Sequence, residues 1–125
     1  NNNNNSNNNN NNNSTTPAVT ASAANTQVTI TNSGGWSSGS SNCSQYTVTI
    51  KNTGSSAVNN WKVTVSFGGN ITLDQSWNGN FSASGSNITI TPVDFNNEIS
   101  AGQSVEVGFI ISYSGNVGTP TVSIN

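Results

Sequence analysis

Tyr46-Thr-Val-Thr-Ile-Lys-Asn-Thr-Gly-Ser-Ser-Ala-Val-Asn-Asn-Trp61-Lys-Val-Thr-Val-Ser-Phe67 holds two runs of apolar–polar alternation separated by turn-forming residues. Tyr46, Val48 and Ile50 share one parity, and Trp61, Val63, Val65 and Phe67 share another. A strand sends alternate side chains to opposite faces, so each set lines one face of a sheet and Trp61 is expected in the core. Outward from this stretch the same pattern recurs. Candidate strands cover Gln27–Asn32, Gln45–Asn52, Trp61–Phe67, Ile71–Gln75, Phe81–Ser84, Asn87–Thr91, Ser104–Tyr113 and Thr119–Ile124. Val105, Val107, Phe109, Ile111 and Tyr113 repeat the alternation. Between the runs lie Ser33-Gly-Gly, Thr53-Gly-Ser-Ser, Gly68-Gly-Asn, Ser84-Gly-Ser-Asn and Ala101-Gly-Gln. No window carries a helical stripe. These features predict an all-β fold, an antiparallel β-sandwich of about eight strands with an immunoglobulin-like or jelly-roll-like character.

The chain has 125 residues, and its first thirteen are asparagine apart from Ser6. A segment with nothing apolar to bury cannot offset the entropy of ordering itself. Residues 1–20 are therefore expected to be a disordered linker and residues 21–125 one folded module. The tract follows no signal-peptide pattern, which predicts that the natural N-terminus lies upstream. Two lysines, no arginine and four acids give a net charge of −2. With no basic patch, neither nucleic acid nor an anionic membrane surface is expected as a partner. No apolar run approaches the roughly 18 residues of a spanning helix. Cys43 is the only cysteine, so no internal disulfide can form. Asn42-Cys-Ser, Asn70-Ile-Thr, Asn80-Phe-Ser and Asn87-Ile-Thr match the N-glycosylation acceptor pattern, as do three sites in the asparagine tract. They favour a secreted, extracellular protein.

Catalysis is not expected. The sequence has no histidine, which removes Ser/His and Cys/His nucleophilic schemes. Its acids are Asp74, Asp94, Glu98 and Glu106. Nothing places two of them across a cleft, as glycoside hydrolysis requires, so they read as solvated surface groups. No cluster or acidic loop has metal-ligand spacing, and neither a metal nor a cofactor is expected.

Three aromatic residues stand outside the core pattern. Trp36 lies in Ser33-Gly-Gly-Trp-Ser-Ser-Gly-Ser-Ser, read as a loop with no other apolar residue. Trp77 shares parity with Ile71 and Leu73, but Gln75 intervenes on the same side. Phe95 follows Pro92 in Pro92-Val-Asp-Phe-Asn-Asn-Glu, after the chain should have left the sheet. Pattern leaves two placements open for all three: exposed, or folded back onto the sandwich.

The quoted stretch, followed by Gln75-Ser-Trp77-Asn, Phe95-Asn-Asn-Glu-Ile-Ser-Ala-Gly-Gln and Val107-Gly-Phe-Ile-Ile-Ser-Tyr-Ser-Gly, resembles carbohydrate-binding modules of family 2. The related family 49, appended to cellulases, fits about as well. The likeness runs from Thr26 to Ile124. It implies a non-catalytic module whose exposed rings form a flat strip on crystalline cellulose, with Trp36, Trp77 and Phe95 as the rings and Gln75 as a polar neighbour. It also implies a monomeric module tethered to another domain such as a cellulase. Xylan and chitin are the alternative ligands, and a structural coat or matrix domain is the alternative role. Three departures stand out: the family's terminal cysteine pair is absent, with Cys43 in a loop insertion instead; the loop after Trp36 is longer and Ser-rich; and Phe95 replaces a Trp or Tyr.

Overall fold

The computed structural model describes residues 18–124. They form nine strands: β1 Val19–Ser22, β2 Thr26–Ser38, β3 Ser41–Asn52, β4 Val63–Ser66, β5 Thr72–Trp77, β6 Asn80–Ser84, β7 Asn87–Thr91, β8 Ser104–Tyr113 and β9 Thr121–Ile124. A 3-10 turn spans Asp94–Asn96. The strands make two sheets, one of five in the order β1-β2-β3-β8-β5 and one of four in the order β6-β7-β4-β9. Every pairing is antiparallel. The expected antiparallel sandwich is thus the observed one.

Its core is the sum of the inward parities. Val28 and Ile30 on β2, Tyr46, Val48 and Ile50 on β3, and Val107, Phe109 and Ile111 on β8 meet Val63, Val65, Ile88 and Ile90 from the other sheet. Tyr46 stacks on Phe109 with centroids 5.4 Å apart, and Phe81 tilts against the same ring at 5.8 Å. Aromatic packing at this separation adds attraction beyond the area hidden from water. Trp61 stands just before β4, only 1% exposed, and its Nε1–H donates to the Asn96 carbonyl at 2.8 Å. Burying an indole requires such a partner, because an unpaired N–H in the interior is costly.

Buried amides close the loops. Asn52, fully buried at the end of β3, donates from Nδ2 to the carbonyls of Ser56 and Ile99 at 2.7 and 2.8 Å. Its Oδ1 accepts from the Gly54 amide at 2.9 Å. The turn after β3 and the segment before β8 are fixed by this one side chain. Asn97 and Asn60 pair likewise: Asn97 Oδ1 accepts from the Asn60 amide at 2.7 Å.

Several expectations need correction. β1 begins at Val19, inside the stretch expected as linker, and pairs with β2 from Val19↔Ile30 to Ser22↔Gln27. The remaining linker residues, 1–17, lie outside the described part. β2 does not stop at Asn32. It continues through the Gly/Ser run to Ser38, turns at Gly39 (φ 62°) and pairs with Ser41–Gln45. Trp36 and Cys43, both expected in a loop, are therefore strand residues directly opposite each other. Gly and Ser have weak strand propensity of their own, but a hairpin partner with free backbone groups satisfies them.

Trp61→Ala should destabilise the domain by about 3–5 kcal/mol, through lost burial and an emptied cavity; urea unfolding followed by circular dichroism measures this. Burial also raises the Tyr46 phenol above its ordinary value. The folded chain then holds that proton where the unfolded chain has released it. Stability from this group is present below the ordinary tyrosine range and lost as pH rises through it, so thermal midpoints should hold near neutrality and fall above about pH 10.

Candidate functional site

Two irregularities in the five-stranded sheet decide where its tryptophans point. Val28, Ile30 and Asn32 lie on the inner face of β2, and simple alternation would carry Trp36 inward after them. The register shifts between Asn32 and Gly34. Asn32 pairs with Tyr46 and Gly34 with Gln45, leaving Ser33 as an extra residue. From there the parity is reversed, and Trp36 stands on the outer face across from Cys43. The bulge is held by Asn32 Oδ1, which accepts from the Gly34 amide at 2.9 Å. Gly34 has φ 153°, where a side chain would be strained. A β-bulge commonly re-aims a side chain in this way.

β5 does the same. Leu73 pairs inward with Ile111, Asp74 is the extra residue, and Gln75 and Trp77 then pair with Ile110 and Gly108 on the outer face. Asp74 Oδ1 accepts from the Ser112 hydroxyl at 3.2 Å. Trp77 lies flat over Gly108, since a Cβ on that glycine would collide with the indole. The missing side chain is what seats the ring. Trp36 is 46% exposed, Trp77 37% and Phe95 76%, the exposed large hydrophobics among the described residues.

The register fixes the two tryptophans relative to each other. Trp36, Cys43, Ser112 and Thr72 form one outer row, and Trp77 belongs to the row of Gly108 and Thr47. Between them runs the row Gly34–Gln45–Ile110–Gln75. The two tryptophans are thus four residues apart along β8 and three strands apart across the sheet, about 14 Å in each direction. Gln75 borders the gap. Gln45 and Ile110 also face it, and neither was singled out in the sequence, although outward parity beside Tyr46 and Phe109 marks both. Cys43, within the outer row beside Trp36, is itself buried.

Phe95 is brought to the far side of Trp77 by Asn96. Asn96 is only 4% exposed, and its Nδ2 donates to the carbonyl of Asn78, the residue after Trp77, at 2.6 Å. Its Oδ1 accepts from the Val93 amide at 3.0 Å, which closes the 3-10 turn, and its own carbonyl receives the Trp61 indole. Asn78 Nδ2 reaches the Glu106 carbonyl, beyond the Gly108 row and away from Trp36. The order across the molecule is therefore Trp36, Trp77, Phe95. Asn96 was not picked out from the sequence; an asparagine in an Asn-rich chain carries no signal until its burial is known.

Residues 23–125 match the family 2 model, described as a cellulose binding domain. The chain belongs to the cellulose binding domain family. It is a non-catalytic, polysaccharide-binding module. It is 41% identical over 75 residues to endoglucanase A of Thermobispora bispora, covering 60% of this chain and 16% of that protein. It is 37% identical over 95 residues to endoglucanase E-5 of Thermobifida fusca, covering 76% of this chain and 20% of that one. The chain thus spans a fifth or less of these curated relatives. Among solved structures, the chitin-binding domain of Chi18aC from Streptomyces coelicolor superposes with a TM-score of 0.59 at 25% identity, covering 82% of this chain and 92% of that one. No helix among the described residues is long and apolar enough to cross a membrane.

Gly108→Ala should lift the Trp77 ring off the sheet while the core stays packed. The expected readout is a shifted Trp77 indole resonance and weaker polysaccharide retention, with an unchanged far-ultraviolet spectrum.

Proposed function

We propose that Trp36, Trp77 and Phe95, with Gln75 between the first two, form the face that lies on crystalline cellulose. The observation that carries this reading is the outward placement of all three rings, two of them by bulges that override the core parity. A glucopyranose presents apolar C–H faces and an equatorial rim of hydroxyls. A flat ring covers such a face, and the carboxamides of Gln75 and Gln45 suit the hydroxyls. If each ring hides about 60 Å² of apolar surface, it contributes about 1.5 kcal/mol, and three contribute about 4–5 kcal/mol before ordering costs. An open face rather than a cleft suits a solid, and the low net charge suits a neutral ligand.

Cellulose is preferred to chitin because the endoglucanase relatives are more similar in sequence than the chitin-binding structures. A purely structural sandwich would have no use for three exposed rings, two of them turned outward by bulges and the third held by a buried asparagine. By analogy with relatives several times its length, the module holds an attached domain at the polysaccharide surface, and we read it as a secreted monomer. The asparagine tract is read as the spacer, and tethering raises the effective concentration of whatever it carries.

Trp36→Ala and Trp77→Ala should each cut retention on microcrystalline cellulose by roughly tenfold or more, as loss of about 1.5 kcal/mol per ring requires. Phe95→Ala should have a smaller effect. Depletion isotherms on cellulose, chitin and xylan measure both affinity and preference. Undiminished retention by both tryptophan variants would falsify the assignment.

A further inference from the structure

The acceptor-like asparagines are not equivalent once folded. Asn42 is half-buried, and its Nδ2 donates to the Gly115 carbonyl at 3.1 Å. The hydroxyl of its motif, on Ser44, is buried against the Tyr113 hydroxyl at 3.0 Å. Asn80 is exposed, but its Nδ2 donates to the Pro92 carbonyl at 3.1 Å, at the root of the segment that carries Phe95. A sugar on either nitrogen would wedge apart two segments that the amide draws together. On Asn80 it would also stand beside the exposed rings.

Asn87 and Asn70 are placed differently. Asn87 opens β7 with its side chain exposed, while Ile88 points into the core. It pairs with Ser66 and Ser84, and further along the same outer face lie Thr64, Ser82 and Thr89. The paired residues around Asn87 on this face are mostly hydroxyl-bearing, and the face lies on the opposite side of the sandwich from Trp36 and Trp77. Asn70 is exposed in the Gly68-Gly-Asn connection between β4 and β5. Neither amide makes a hydrogen bond among the described residues, and in both motifs the third residue is a threonine.

We propose that Asn87 and Asn70 are the N-glycan acceptors of the folded domain and that Asn42 and Asn80 stay bare. In the transfer, Nδ2 attacks C1 of an oligosaccharide carried on a lipid pyrophosphate. The N–C1 bond forms, the C1–O bond breaks, one amide proton leaves, and the lipid pyrophosphate departs. The Asn87 glycan would cover the back of the sandwich, leaving the front free for a solid surface. The proposal rests on the secreted placement above only for its natural setting.

The test separates the two by supplying a secretion signal to the full chain in an N-glycosylating eukaryotic cell. Enzymatic deglycosylation in heavy-oxygen water converts each occupied asparagine to labelled aspartate, read site by site by peptide mass spectrometry, so that glycans on the asparagine tract do not interfere. The expected result is label at Asn70 and Asn87, none at Asn42 or Asn80, and loss of one glycan each in N70Q and N87Q. An unlabelled Asn70 or Asn87 in the secreted protein, or label at Asn42 or Asn80, overturns the proposal.

Discussion

The hydrogen bond from the buried Trp61 indole to the Asn96 carbonyl joins the core of this domain to the segments that carry its exposed rings. Trp61 is held by the inward parity it shares with β4, and Asn96 takes its position from Trp61. The side chain of Asn96 then reaches in two directions, to Val93 within its own turn and to Asn78 at the end of β5. A displaced Asn96 would release the turn carrying Phe95 and the corner below Trp77 together. Buried polar groups that are fully paired rigidify their surroundings, whereas half-paired ones destabilise them. Here every polar group of Asn96 is used, which is why a side chain of modest size can fix two rings at once.

Asparagine does elsewhere in this chain what disulfides or ion pairs do in other small domains. Asn52 closes the loop after β3, Asn97 and Asn60 join two connections, and Asn32 holds the bulge before Trp36. The carboxamide can donate and accept at once without carrying charge. It can therefore be buried without the desolvation cost of an ion. A domain with so few charged residues is assembled almost wholly from apolar packing and neutral hydrogen bonds.

The fold was legible in the sequence because parity is a local property. Trp61, Tyr46 and Phe109 declare their faces through neighbours two residues away, and the structure buries all three. Parity misleads at a bulge. Ser33 and Asp74 are ordinary residues, and nothing in either marks it as the one without a cross-strand partner. The strands beyond them consequently read as loop or as undecided. The Trp36 hairpin was hidden for a second reason: it is stabilised by pairing, not by apolar content, and pairing is a long-range fact. β1 was missed likewise, since Val19-Thr-Ala-Ser has too little hydrophobic material to announce a strand. Pattern set the three aromatic residues apart and the resemblance suggested their role, while the physical cause of the outward aim of the two tryptophans appeared only in the register.

The irregularity at Asp74 has a further effect. β5 is the last strand of its sheet, and a regular last strand offers a ladder of free amides and carbonyls to any similar strand nearby. Molecules gathered side by side on a solid would meet such ladders at high local density, a setting that invites cross-molecular sheet growth. A carboxylate on an extra residue breaks both the spacing and the neutrality of that ladder. The feature that turns Trp77 to the outer face thereby also guards crowded copies against coalescing into a shared sheet.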